Sequence, residues 1–400
     1  MNIIFAPAHY YLSDTLGTEV SWPFYAMQSL AEKGHTVYGI CGYTDLTGTL
    51  PENVHLSIMY PGKRGTNALV EYGRKVGFYF KVAREVKRLR REHQIDVVHH
   101  FAPISAQSPN LSAAVFGGLR GTIFTIGPAM VPGSKSSELG LAMGVKTDWR
   151  LKIVSGLLAL MAAPLRVLQR RTLRRAQKVI AATDLAAEEY AKLVDDPKKI
   201  VVVPPGIRLE TYAITGIKHR HSVVLAVCYL TERKGIDVLL KAFAKVVTRR
   251  KSARLWIVGN GPEEANLKKL ARTLGISKVV QFWGFVNNTE VGRYYAEAGI
   301  FASPTRHEPF GQTLLEAMAA GLPIVASHTG AVPHIVAPGA GFTHPIDDVD
   351  AVAEHLNNLL AHPDLIDKMG AKAEAHVRAN YAWSTIMDTY LDIWKSLSKK

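Results

Sequence analysis

Short runs of β-branched and apolar residues alternate along the chain with longer stretches whose apolar positions recur at a helical period. The runs at 3–5, 36–40, 96–100, 122–125 and 178–181 predict a first set of strands. Across 68–92, Tyr79, Val82, Val86 and Leu89 share one helical face, while Arg84, Lys87, Arg88 and Arg91 occupy much of the remaining surface. That pattern predicts a core-facing helix with a basic outer side. After Ile200-Val201-Val202-Val203 come Pro204-Pro205-Gly206 and a polar stretch to Ser222 that includes His219-Arg220-His221, the best linker in the chain. The alternation then restarts, with strands at 223–227, 254–258, 279–282, 300–302 and 324–326 and helices from Gly235, Pro262, Asn288 and Gly311. Strand and helix alternation of this kind implies parallel sheets covered by helices. The expected fold is therefore α/β, with two successive doubly wound, Rossmann-like domains. Such domains bind ligands at the carboxyl ends of their strands.

The opening Met1-Asn2-Ile3-Ile4-Phe5-Ala6-Pro7 lacks the basic residues and long apolar region of a signal peptide and reads as a buried strand. The most apolar long stretch, 153–165, has thirteen residues and contains Pro164. It falls short of the ~18–20 residues needed to span a bilayer, so no transmembrane helix is expected. Two cysteines, Cys41 and Cys228, have no metal or redox spacing and suit a reducing, cytoplasmic setting. A 48% hydrophobic and 20% charged composition over 400 residues supplies two cores and excludes disordered, collagenous and disulfide-scaffold classes. Charge changes the picture further, because 48 Lys and Arg against 34 Asp and Glu leave +14, a surplus that favours anionic partners. Of these, 22 basic and 11 acidic residues precede residue 181, so the surplus belongs to the first domain.

Candidate chemistry concentrates in Ser303-Pro304-Thr305-Arg306-His307-Glu308-Pro309-Phe310-Gly311-Gln312-Thr313-Leu314-Leu315-Glu316, which continues to Gly321-Leu322-Pro323. It reads as strand end, loop, helix and helix stop. Pro309 near the helix start and Gly311 within its first turn leave backbone N–H groups open to an anion such as a diphosphate. Glu316 lies about 7–8 Å further along the helix, where it can accept hydrogen bonds from ribose hydroxyls. Glu308 then faces the group carried on the distal phosphate. The alternative is that Glu308 is a carboxylate stabilised by the helix dipole and Glu316 a solvated helix residue. Arg233-Lys234 beside a helix start is electrostatically misplaced unless an anion is near, or else is a solvated pair.

Glu308 and Glu316, with seven residues between them in Glu-Pro-Phe-Gly-Gln-Thr-Leu-Leu-Glu, resemble the signature of retaining glycosyltransferases of family four, which have the two-Rossmann glycosyltransferase-B fold. Gly17-Thr18-Glu19 resembles the family's glycine loop, Lys33-Gly34-His35-Thr36-Val37 its second strand and Asp96-Val97-Val98-His99 its strand ending in His. Thr231-Glu232-Arg233-Lys234-Gly235 resembles the lysine loop, Val258-Gly259-Asn260-Gly261-Pro262 the fourth-strand turn, and Phe282-Trp283-Gly284-Phe285-Val286 the base-binding strand end. The resemblance implies an acceptor-side domain at 1–205, a nucleotide-sugar domain at 206–380 and a helix at 381–400 returning to the first, with the two domains facing across a cleft. It further implies Glu316 for ribose, Glu308 for the transferred sugar, and Lys234 for the diphosphate. Phe310, Gly311, Gln312 and Thr313 are implied for phosphate and sugar, Val286 for the base, and Gly17 for approach to the diphosphate. Gly259 and Asn260 complete the implied donor set, with Glu308 and Lys234 as the catalytic pair.

Two positions depart from the family pattern. Cys228-Tyr229 stands where the family usually has glycine and arginine, with Arg233 as a substitute clamp, and Gly127 stands where a sugar-contacting histidine is usual. His99 and His100 are the acceptor-side candidates for that missing contact; the alternative for each is a strand-end histidine held by packing. The expected activity is retaining transfer of a sugar, by default from a UDP-sugar, to a glycan or lipid-linked acceptor. The nucleotide sugar is a co-substrate, and no cofactor or metal is expected. Epimerases and phosphorylases of the same fold, or a binding subunit without turnover, remain the alternatives. The basic first domain suits an anionic membrane surface, and Trp149 to Lys178 joins Leu157, Leu158, Leu160 and Met161 to Arg166, Arg170, Arg171, Arg174 and Arg175, either at a membrane or as a core helix. Nucleic acid is disfavoured, because no aromatic-interleaved basic motif or helix-turn-helix pattern is present. A Gly-x-Ser-x-Gly elbow is lacking, and Gly62-Lys63-Arg64-Gly65-Thr66 does not have P-loop spacing.

Overall fold

The computed structural model describes residues 1–14, 20–62, 68–101, 109–115, 119, 121–130, 163–212 and 220–398. They form two units: the described residues up to Gly206 together with a helix from Trp383, and Ile207–Ala382. Both are α/β, as expected from the alternation of apolar runs.

In the first unit the order is β1 (Asn2–Leu12), α1 (Trp22–Glu32), β2 (Thr36–Thr44), β3 (Val54–Ile58), α2 (Ala68–Glu92), β4 (Val97–His100), α3 (Leu111–Ala114), β5 (Ile123–Ala129), α4 (Ala163–Arg175), β6 (Lys178–Ala181), α5 (Asp184–Ala191) and β7 (Ile200–Val202). The strands lie in the order β3-β2-β1-β4-β5-β6-β7, every pairing parallel. Strand β1 runs well past Phe5, because Ala6 and Ala8 are as buried as the residues before them. Edge strand β3 escaped the sequence reading, since only Val54 of its residues is buried. The core face of α2 is Phe78, Val82, Val86 and Leu89, with Tyr79 only packed at its margin. The C-terminal helix Trp383–Ser398 completes this unit: Trp394 Nε1 donates to Thr125 Oγ1 at 2.9 Å, and Lys33 pairs with Asp388 at 2.7 Å.

The second unit runs β8 (Arg220–Val227), α6 (Ile236–Arg249), β9 (Arg254–Val258), α7 (Glu264–Thr273), β10 (Val280–Gly284), α8 (Asn288–Glu297), β11 (Ala298–Ser303), α9 (Gln312–Ala319), β12 (Ile324–Ser327), α10 (Val332–Ile335), β13 (Gly341–His344), α11 (Val349–Ala361) and α12 (Pro363–Tyr381). Its sheet is also parallel, in the order β10-β9-β8-β11-β12-β13. Strand β8 begins inside the stretch read as linker. Arg220 and His221 belong to it, the first anchored by an ion pair to Glu297 at 3.1 Å and the second by a hydrogen bond between its Nε2 and Asp367 at 2.8 Å. Residues 213–219 of that linker lie outside the described residues, as do Gly17, 63–66 of the rejected P-loop, and Leu157, Leu158, Leu160 and Met161. Strand order reverses between β8 and β11, so the loops after these two strands stand side by side at the sheet's switch point.

Candidate functional site

The loop after β8 closes in a turn at Glu232–Lys234 and enters α6 through Gly235, whose φ is 65°. A Cβ on Gly235 would lie 1.9 Å from the Pro304 carbonyl oxygen, so the turn and the loop after β11 touch through bare backbone. Arg306 locks them further. Its backbone N–H donates to Arg233 O at 2.8 Å, Nη1 donates to Glu232 O, Nη2 reaches Asp237 at 3.0 Å and Nε reaches Asp347 at 2.8 Å. The Thr305 hydroxyl, fully buried, lies 3.2 Å from Arg233 O and 3.0 Å from His307 O.

This double loop brings Lys234 Nζ to 2.7 Å from Glu308 Oε2, with both side chains largely buried. The other oxygen, Oε1, accepts the Gly311 N–H at 2.9 Å. Burial by itself would raise the Glu308 pKa; the Lys234 ammonium, followed by Arg233 and the Gly311 amide, outweighs it and holds the carboxyl below its usual range. The anion called for by the Arg233-Lys234 pair is thus supplied by the protein's own Glu308, while Arg233 Nη1 donates to His307 O at 2.5 Å. Gly311 is the N-cap of α9, with φ 89°, rather than part of its first turn. Its amide is taken by Glu308, which leaves the Gln312 and Thr313 N–H groups as the first-turn donors that no helix carbonyl reaches. Phe310 is buried.

Glu316, one and a third turns along α9, is only 7% exposed, and its Oε2 accepts the Tyr295 hydroxyl of α8 at 2.8 Å. Burial pushes its carboxyl up to about 7, against the lowering effect of hydrogen bonds from Tyr295, Tyr212 and Gln312. Gly259 and Asn260 tie neighbouring strand ends together: the Gly259 N–H donates to Gly284 O at 2.7 Å, and Asn260 O accepts from Leu230 N at 2.8 Å. Val286 lies half-buried between β10 and α8, and Tyr229 projects outward as an exposed ring. Tyr295, Thr305 and Arg306 are the residues the sequence reading missed. Arg306 lies between Ser303 and Glu316, but its acidic partners Asp237 and Asp347 come from distant stretches; Tyr295 carries no local signal at all.

His99 and His100, the acceptor-side candidates in the first unit, are both fully buried. His99 Nε2 donates to Gly127 O at 2.8 Å, which leaves Nδ1 to accept from the Thr125 hydroxyl at 2.8 Å, among the rings of Phe5, Phe101, Tyr390 and Trp394. Burial lowers both histidines to about 3. The packing alternative describes His99, and neither ring is presented to solvent. Gly127 is close-packed as well: a Cβ there would lie 2.6 Å from Ile180 O. A histidine cannot occupy that position without moving β6. Among the described residues no group of three or more His, Cys, Asp or Glu is arranged to hold a metal ion, and no helix is long and apolar enough to cross a membrane.

Comparison with known proteins covers both units. The family model for glycosyl transferases group 1 matches residues 208–376, and that for glycosyltransferase family 4 matches 24–211. A GDP-mannose-dependent monoacylated alpha-(1-6)-phosphatidylinositol monomannoside mannosyltransferase of Corynebacterium glutamicum is 33% identical over 208 residues, half of this chain and 54% of that protein. The chain thus spans about half the length of this relative. A glycosyltransferase structure from Rickettsia africae superimposes with a TM-score of 0.67 at 15% identity, covering 100% of this chain and 99% of that one. An Anabaena protein, HepE, in complex with UDP gives 0.67 at 16% identity, covering 99% and 100%. At such identities the two structures establish the fold.

Proposed function

Since the chain belongs to the glycosyltransferases of family four, we propose that it moves a sugar from a nucleoside-diphosphate sugar to a glycan or lipid-linked acceptor, with retention of anomeric configuration. The observation that carries this reading is the Lys234–Glu308 pair at the N-terminus of α9. A diphosphate placed over Gln312 and Thr313 meets two free amides, the helix dipole and the Lys234 ammonium, while the Glu308 carboxylate stands beside it to accept hydrogen bonds from sugar hydroxyls. Glu316, deeper along the same helix, takes the ribose, with Tyr295 holding its orientation.

In the transfer step the bond from the anomeric carbon to the diphosphate oxygen breaks as the acceptor oxygen bonds from the same face. The acceptor's proton passes to the departing phosphate oxygen. Lys234 and the α9 amides stabilise the charge that grows on the leaving group, and Glu308 supports the electron-poor sugar. UDP-sugars are the default donors from the sequence, and the relative named for GDP-mannose adds that donor. The phosphatidylinositol monomannoside in the same relative's name supports a lipid-linked acceptor. Exposed Tyr229 at the usual arginine position favours a second reading, nucleotide-sugar binding without turnover.

A calorimetric screen of UDP-, GDP-, ADP- and dTDP-sugars against the purified protein, followed by transfer assays with the donor that binds, separates these. Binding with transfer supports the proposal, binding alone supports the second reading, and no binding by any nucleotide sugar overturns both. Interconversion of the sugar without an acceptor identifies an epimerase instead.

A further inference from the structure

Helix α3 packs against both α2 and α4 in the first unit. The outward side of α2 carries Val76 and Phe80, followed at helical spacing by Arg84, Lys87 and Arg91. Phe80 is 53% exposed, Val115 just past α3 is 52% exposed, and Val167 on α4 is 52% exposed. Large apolar side chains thus stand open to solvent on three adjacent elements. Beside Phe80 a groove of about 730 Å³ opens, with Ala83 and Val86 as its apolar floor and Arg84, Lys87 and Arg91 on its walls.

The cations of this face lack acidic partners. On α2, Glu85 and Glu92 are both engaged by Arg88. No ion pair reaches Arg84, Lys87 or Arg91 from any described residue. Helix α4 contains no acidic residue; Arg174 pairs with Asp195 at 3.1 Å, whereas Arg170, Arg171 and Arg175 have no ion-pair partner among the described residues. Arg84, Lys87 and Arg91 thus line the groove beside exposed Phe80 without an ion-pair partner among the described residues, and Arg170, Arg171 and Arg175 share α4 with exposed Val167. Apolar residues that enter an interface, ringed by cations that meet phosphates, are the arrangement an anionic lipid surface binds. A nucleic acid would engage the cations through its phosphates, but exposed Phe80, Val115 and Val167 would gain nothing from its backbone.

We propose that the α2, α3 and α4 face docks on an anionic phospholipid bilayer: Val76, Phe80, Val115 and Val167 enter the interface, Arg84, Lys87 and Arg91 engage lipid phosphates, and the groove beside Phe80 seats a headgroup with the start of its acyl chain. This goes beyond the donor-site reading and does not rest on it. The test reads binding rather than turnover, so its failure leaves the transfer reading standing.

The full chain is floated with vesicles of phosphatidylcholine alone, or of phosphatidylcholine mixed with an equal part of phosphatidylglycerol, at low and high salt. Binding is expected on the anionic vesicles only and is released by salt. Combining Arg84→Glu, Lys87→Glu and Arg91→Glu lowers partition by about a hundredfold or more, from roughly fivefold per cation. Phe80→Ala lowers it by about tenfold. In Phe80→Trp the emission shifts to the blue when anionic vesicles are added, which reports insertion. The same charge change made in the second unit, with Lys251→Glu, Lys269→Glu and Lys278→Glu, leaves partition within about twofold, because these lysines are not part of the proposed docking face. All variants keep the wild-type melting temperature, since every substituted side chain is on the surface. Failure of the wild type to bind anionic vesicles overturns the proposal. So does equal weakening by the two charge triples, or binding to a short single-stranded RNA that matches the vesicles and is indifferent to Phe80→Ala.

Discussion

At the scale of single residues, Glu316 inverts the usual pH behaviour of a carboxylate. Its folded pKa of about 7 stands above the ordinary 4.5, so between these values the folded chain holds a proton that the unfolded chain has released. Stability therefore falls as pH rises through that window, by up to about 3 kcal/mol from this group. Glu316→Gln is expected to remove this contribution, shrinking the difference between urea unfolding free energies measured at about pH 5 and about pH 8; an unchanged difference contradicts the assignment. Lys234→Ala leaves the Glu308 carboxylate buried without its ammonium and should cost about 2–4 kcal/mol. Adding Glu308→Gln should recover part of that loss, because the stranded charge disappears. In transfer assays Lys234→Ala is expected to lower kcat by about a hundredfold, the scale of a lost oxyanion-type contact.

At the scale of elements, the site depends on two loops held by contacts that neither loop shows on its own. Arg306 ties the β11 loop to the 232–234 turn and to Asp237 and Asp347. Arg306→Ala should cost about 1–2 kcal/mol, since the side chain is half-buried and charge-paired. Its larger effect is expected on donor KM, through misplacement of Lys234, with Arg306→Lys restoring little because one ammonium cannot replace the guanidinium's three directions. A KM equal to wild type speaks against that positioning role. In the first unit Gly127 sits at φ 152° with Ile180 O 2.6 Å from where a Cβ would be. Gly127→His, which reinstates the family's usual residue, should destabilise by about 3 kcal/mol or more and restore no activity. A stable, more active variant would show that β6 yields at this point.

For the whole molecule, the proposed donor site would link ligand binding to the stability of one unit. A nucleotide sugar at a hundredfold excess over its Kd should stabilise the chain by about 2.7 kcal/mol. Hydrogen exchange is expected to localise new protection to Ile207–Ala382, around α9 and the 232–234 turn, and Lys234→Ala should abolish the shift at the same concentration. Protection confined to the first unit would displace the donor site from where it is proposed. Charge divides the molecule in a complementary way. The second unit balances Lys234 and Arg306 internally, whereas α2 and α4 leave cations unbalanced at the surface. Of the +14, +11 lies before residue 181, the part of the chain that carries α2 and α4, and the docking proposed for that face would draw on this charge rather than on the donor diphosphate.

The sequence by itself determined the α/β class, the restart of the strand and helix pattern, and the helix with Glu308 before it and Glu316 within it. Those features are local, because apolar period, helix stops and turn residues act over a few neighbouring positions. Edge strands β3 and β13 were illegible for the same reason: half-exposed runs of four or five residues carry too little apolar pattern. Only the tertiary structure decided which charge answers which. Lys234 finds Glu308 from 74 residues away, Glu316 finds Tyr295 on another helix, and His99 is sealed by a tryptophan from the far end of the chain. A side chain's pKa, partner and access to solvent depend on what the fold brings within a few ångströms of it, and no spacing along the chain encodes that distance.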